Sequence, residues 1–246
     1  MEHGGYLENY ERPPQAREKQ RKMLRTHLHG LLGIARLNEI APDARYVARA
    51  SALIEILTTR FEIEDSGGNA FNALTRDWKP VEPDGTPDSI SVYGHTAELV
   101  WCTLRATQQL KRPLGRIQPW ALRLATGIRK RGITDDGAVY FAGPYTGPAD
   151  QKTVYWWAQT EVLVMLMSLY ELTGDDLYLQ QFRTTYAWST QFLAADGTGC
   201  WVAFADEQGK RLSPYRTGKN RKAGLHVIRC LLECEQGLAR VIKKRS

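Results

Sequence analysis

A chain of 246 residues that is 43% hydrophobic and 24% charged has the balance of an ordinary globular protein, which excludes disorder, collagen and coiled coil. No run approaches the roughly 18 apolar residues of a bilayer span, and Met1 to Gly5 lacks the basic-then-apolar order of a signal peptide, so the chain reads as cytoplasmic with no membrane partner. The net charge of +6 gathers in Arg17 to Arg25 and Arg240 to Arg245, as solvated helix ends rather than a basic face interleaved with aromatics, and no nucleic-acid partner is expected.

In chain order, amphipathic spacing predicts helices over 17–40, 43–62, 95–111, 117–131, 153–173, 175–195 and 219–241. Tyr93-Gly94 and Asp175 stand where chain turns into helix, and Gly174 ends one. The segments repeat. Leu37, Glu39, Ile40, Asp43 and Tyr46 are echoed 132 positions later by Leu169, Glu171, Leu172, Asp175 and Tyr178. Phe61, Gly68, Lys79 and Val81 are echoed at 131 by Phe192, Gly199, Lys210 and Leu212. Glycine turns followed by aromatics recur at half that spacing, which sets a unit of about 65 residues holding two helices and a returning hairpin. The expected fold is therefore all-α: one domain, 1–246, of seven main helices in alternating inner and outer layers, with short β-hairpins at one end. A six-fold ring of such pairs needs about 390 residues, so the toroid is expected to be incomplete.

Three of the five histidines, His29, His95 and His226, lie on predicted helices near the starts of successive pairs, at separations of 66 and 131 residues, one and two repeat units. Equivalent positions in a ring of helix pairs point to a common axis, so the three are expected to converge. Glu98 follows His95 by three residues and shares its helical face, either fixing the imidazole tautomer or forming an ordinary surface pair. Arg229 stands in the same relation to His226, to hold a hydroxyl-rich or anionic group or to cap the outer face. His27 and His29 are two apart, so at most one faces the axis. His226, Cys230 and Cys234 suggest a metal stripe, but its ends lie about 12 Å apart along a helix, so no metal site is expected and the cysteines read as core. Tyr155-Trp156-Trp157 followed by Gln159 and Glu161 combines flat rings with polar groups, as a sugar pocket requires, so at least one of Trp156 and Trp157 is expected to line a pocket, with Glu161 a candidate sugar contact; large aromatics also serve as core filler. No P-loop, GxGxxG, GxSxG or HExxH occurs, and no cofactor is expected.

These residues resemble the N-acylglucosamine 2-epimerase family, which includes cellobiose 2-epimerases and mannose isomerases and has an (α/α)6 barrel fold. Thr26-His27-Leu28-His29 is similar to the family's THLH segment and Tyr93 to Glu98 to YGHDIE. Tyr155 to Glu161 is similar to WWxQAE, and Lys222 to Arg229 to KxxYHxxR. The resemblance implies that His95 and His226 are an acid/base pair, that His29 and Trp157 contact sugar, and that Glu98 supports His95. The substrate it implies is a reducing sugar, epimerised at C2 or isomerised through an enediolate, for which Arg229 or His29 supplies donors. Thr96, Ala97, Leu225, Arg221 and Arg25 depart from the family pattern, and about 150 residues of the family's barrel, with an arginine used at the sugar, have no counterpart. The open ends of such a ring are expected to self-associate or to leave the chain marginally stable, with Arg12 to Lys22 as a polar cap at one end and Leu225, Val227, Ile228, Leu231 and Leu232 uncapped at the other.

Overall fold

The computed structural model describes residues 4–8, 20–84, 86–194, 201–212 and 223–245. Residues 12–19 of the expected Arg12 to Lys22 cap, the Gly199 turn and the Arg221-Lys222 pair lie outside the described residues. The chain runs β1 (Arg21–Met23), α1 (Leu24–Ile40), α2 (Ala44–Arg60), β2 (Glu62–Ile63), β3 (Asn69–Ala70), β4 (Ala73–Thr75), β5 (Ser91–Val92), α3 (Tyr93–Gln109) and α4 (Ile117–Arg131). It continues through β6 (Tyr140–Gly143), β7 (Gln151–Tyr155), α5 (Trp156–Thr173), α6 (Asp176–Phe192), β8 (Phe204–Ala205) and α7 (Ala223–Arg245).

Local chemistry explains several boundaries. Asp43 and Asp175 cap α2 and α6 by accepting the backbone N–H of Arg45 at 2.7 Å and of Leu177 at 3.0 Å. Gly174 closes α5 at φ 70°, a left-handed conformation that costs a glycine little. Two predicted helices start too early. Residues 21–23 form a strand paired with Ala73–Thr75, and 153–155 belong to β7, because neighbouring strands supply the partners that a first helical turn leaves unsatisfied.

Helices α1, α3, α5 and α7 touch in succession and form an inner arc, while α2, α4 and α6 each pack outside the inner helix that precedes them. The layers alternate as the repeat predicts. Helix α5 is apolar on every side, from Val162 to Met167 without interruption, and that composition places it in the interior. Outward connections from inner to outer helix are short. The returning connections are long, carry the β-structure, and gather at the end where α3, α5 and α7 begin. Strands β1 and β4 pair antiparallel, as do β2 and β3, and β5-β6-β7-β8 form a four-stranded antiparallel sheet in which Tyr155 faces Phe204. The first turn of this β-structure lies flat on α4, since a Cβ on Gly68 would run into the carbonyl of Arg123. No described helix is long and apolar enough to cross a membrane.

His27 shows what the neighbouring register does. It is buried, with Nδ1 2.8 Å from the carbonyl of Met23 and Nε2 accepting the N–H of Tyr6 at 3.0 Å. It thereby pins the Gly4-Gly5-Tyr6 segment while its own ring packs on Phe61 and Trp78, which leaves the arc's interior face to His29.

Candidate active site

The repeat delivers polar residues to one level of the inner arc. The sixth residue of α1, α3 and α5 is His29, Glu98 and Glu161 respectively, and α7 adds His226 and Arg229 one turn apart. His95 is the third residue of α3 and Trp157 the second of α5, so every candidate lies within the first two turns of its helix, beside the hairpins.

Two carboxylates anchor the group, each only 1% exposed. Glu161 accepts the indole N–H of Trp101 at 2.9 Å on Oε2, and on Oε1 it accepts Arg229 Nη2 at 2.6 Å and lies 2.7 Å from His226 Nδ1. Glu98 Oε1 accepts Arg229 Nη2 at 3.1 Å and stands 3.6 Å from His29 Nε2. Burial pushes the Glu98 carboxyl up, but His29, the Arg229 charge and His95 outweigh it and hold it at about 2. Burial likewise works against the Arg229 charge, and the two carboxylates reverse it, so the guanidinium holds its proton more firmly than usual. The guanidinium also lies 5.1 Å from the Trp101 ring, over its face.

His95 has a different environment. Its Nδ1 is 2.7 Å from Asn72 Oδ1, and its ring packs on Trp157 at 4.8 Å between centroids. Burial, followed by the positive surroundings of Arg25, His29 and His226, lowers it to about 4 against the opposing pull of Glu98, so the ring is neutral at pH 7. The sequence reading in which Glu98 fixes the tautomer of His95 is corrected here. Glu98 lies one turn deeper and gives its oxygen to Arg229 and His29, while the partner of His95 comes from the short β3–β4 connection beside the helix start.

Trp157 lies between the imidazoles, 4.8 Å from the ring of His95 and 6.0 Å from that of His226. It fits because residue 94 is glycine; a Cβ there would stand 2.5 Å from its Cζ3. Trp156 turns the other way, edge-on behind His226 at 5.4 Å, into a second core with Trp188 and Trp201. Gln159 is fully buried and ties α5 to α6 through Ser189 Oγ at 2.8 Å, a structural role. Cys230 and Cys234 are free thiols packed in the main core. Below the site an open cleft of about 450 Å³ continues between α1, α3 and α7, sharing Trp101 and Arg229 with the network and lined by Leu32, Leu225, Ile228 and Leu232.

The structure thus brings together His29, His95, Glu98, Trp157, Glu161, His226 and Arg229, and adds two residues that the sequence reading passed over. Trp101 follows Glu98 by three positions, a spacing that placed it on the same face. Asn72 carries no comparable signal.

The family model for N-acylglucosamine 2-epimerase (GlcNAc 2-epimerase) matches residues 1–229. The chain is similar to a cellobiose 2-epimerase of Bacteroides fragilis, 26% identical over 184 residues, which cover 74% of this chain and 45% of that protein. Among solved structures it is similar to the cellobiose 2-epimerase of Spirochaeta thermophila, with a TM-score of 0.78 at 23% identity over 99% of this chain and 61% of the other. It is also similar to a D-mannose isomerase, with a TM-score of 0.73 at 18% identity over 89% and 56%. These structures have the (α/α)6 barrel fold, and this chain spans about half the length of the relatives it matches.

Proposed function

The chain belongs to the N-acylglucosamine 2-epimerase family, and on that premise we propose that it moves a proton at C2 of a reducing sugar, with His95 and His226 as the acid/base pair. The observation that carries this reading is the placement of two imidazoles against one tryptophan ring, each buttressed at Nδ1 by a different buried side chain. A neutral His95 is equipped to take the proton beside an opened carbonyl. His226, backed by the Glu161 carboxylate, is equipped to carry one, because that carboxylate accepts an Nδ1–H in either protonation state of the ring. Transfer between opposite faces of C2 inverts the centre; return to C1 by one group interconverts aldose and ketose.

Trp157 offers an apolar face for the sugar C–H groups. His29, half-exposed, and Arg229 supply donors to the enediolate, while Glu98 and Glu161 fix the arginine in place. The carbonyl itself acidifies the C2 proton, so the route needs neither nicotinamide nor metal.

A second reading has its own support. Arg25 and Leu225 depart from the family pattern, as in a member that binds carbohydrate without turning it over. Incubation with mannose, N-acetylmannosamine and cellobiose in deuterated water separates the two. Deuterium at C2, lost by at least about 100-fold in His95→Gln and in His226→Gln, is the expected result. Absence of exchange with all three sugars, alongside measurable binding, would establish the binding protein instead.

A further inference from the structure

We propose that Asn72 is a positioning residue for the reaction: its amide oxygen accepts a hydrogen bond from His95 Nδ1 and leaves Nε2 as the bare nitrogen that receives the proton. The inference rests on the function proposed above for His95, but its geometry stands independently.

Asn72 is 3% exposed and lies between β3 and β4, where the backbone is held from several sides. Its carbonyl accepts the N–H of Leu24 at 3.0 Å, which fixes it to the first residue of α1. Phe71 donates to the carbonyl of Phe61 at 2.8 Å, and Ser91 Oγ donates to the carbonyl of Ala70 at 2.9 Å. The side chain therefore leaves a backbone tied to α1, to the end of α2 and to the strand that leads into α3, and it meets His95 at 2.7 Å. An amide oxygen at that distance requires the proton on Nδ1. The opposite amide orientation would place it on Nε2 and remove the base.

The two histidines then differ by design of their supports. His226 rests on a carboxylate that it shares with Arg229; His95 rests on a neutral amide, which selects a tautomer without adding a charge. The groups facing His95 from the elements around it have the same effect. Arg25 and His29 come from α1 and His226 from α7, with Glu98 on its own helix as the acidic member and the uncharged Trp157 ring from α5. An aspartate at position 72 would tip that balance towards the charged ring.

The test is nitrogen NMR of histidine-labelled full chain, recorded without sugar, on the wild type, Asn72→Ala and Asn72→Asp, together with pH profiles of kcat/KM on a sugar that exchanges. The wild type is expected to show His95 protonated at Nδ1 alone, titrating below about pH 5. Asn72→Ala should give mixed tautomers and lose about 10- to 100-fold in kcat with KM nearly unchanged, the range for outer partners that orient a functional imidazole. Asn72→Asp should keep the tautomer and most activity at pH 8, but move the titration of His95 and the acidic limb of kcat/KM upward together by at least about one pH unit. A side chain that only braces the β3–β4 connection would lower activity in both variants without moving either. A wild-type spectrum with the proton on Nε2, or a tautomer unchanged in Asn72→Ala, overturns the proposal. If Asn72→Ala does not fold, Asn72→Ser supplies the same comparison. Failure of every sugar to exchange would sink the proposed function alone, because the spectra read the tautomer without turnover.

Discussion

Helices α5 and α7 lie side by side in the inner arc and send charges to the same network, yet they are differently built. Thirteen of the eighteen residues of α5 are buried, and Glu161 leaves it into a site closed by Trp101, Arg229 and His226. Helix α7 buries Cys230 and Val241 on one side and leaves Leu225, Ile228, Leu231, Leu232, Leu238 and Ile242 between 44% and 60% exposed on the other. Its two site residues reach inward from this edge, with side chains 14% and 18% exposed for His226 and Arg229. The enclosed helices α3 and α5 therefore supply the fixed negative charges. The edge helices α1 and α7 supply the imidazoles and the guanidinium that meet them, so the site depends on how firmly an edge is held to a wall.

Cutting that tie should have the largest effect. Arg229→Leu leaves Glu98 and Glu161 buried without their shared cation, a change that typically costs about 3–5 kcal/mol because the charges stay desolvated. Chemical denaturation should show that loss, and C2 exchange should vanish with it. A loss below about 1 kcal/mol would mean that water reaches the carboxylates and that the two helices are less different than their burial suggests.

A matched pair of leucines tests the same contrast away from the site. Leu166 of α5 is fully buried and Leu232 of α7 is 51% exposed. Leu166→Ala should destabilise by about 2–5 kcal/mol through lost transfer energy and the cavity left behind. Leu232→Ala should stay within about 0.5 kcal/mol at a protein concentration low enough to keep the chain monomeric. Equal losses in thermal melts would show that the α7 face is covered in solution.

The arrangement was partly legible in the sequence because the repeat and the helix share a geometry. Spacings of 66 and 131 residues, one and two repeat units, place His29, His95 and His226 in the first two turns of the inner helices α1, α3 and α7, and Glu161 stands 66 residues after His95, on the intervening α5. Residue roles were less legible than residue positions. The i,i+3 relation of His95 and Glu98 puts both on one face but does not say which meets a third group; Arg229, 131 residues away in sequence, takes the carboxylate. Asn72 lies between β3 and β4, which pair with two different strands, so no local period marks it. The starts of α1 and α5 were misread for the same reason, since a strand that leads into a helix continues its apolar pattern.

The smallest expected effect on the fold, and the most direct probe of the α7 edge, concerns association. A second copy of α7 running antiparallel about Glu235 sets Ile228 opposite Ile242 and Leu232 opposite Leu238, so the exposed stripe complements itself under a two-fold axis. The same axis brings two Glu235 side chains together, which opposes the pairing. Sedimentation at micromolar concentration is therefore expected to show a concentration-dependent dimer that Ile228→Lys combined with Leu238→Lys returns to monomer, with the melting temperature of the monomer moved by no more than a few degrees. Glu235→Gln should tighten the dimer modestly, because it removes the repulsion and keeps the shape. A wild type that sediments as a sharp monomer with a cooperative melt above about 60 °C would show that this apolar edge is stable in water by itself. The contrast with α5 would then be one of exposure alone, without consequence for assembly.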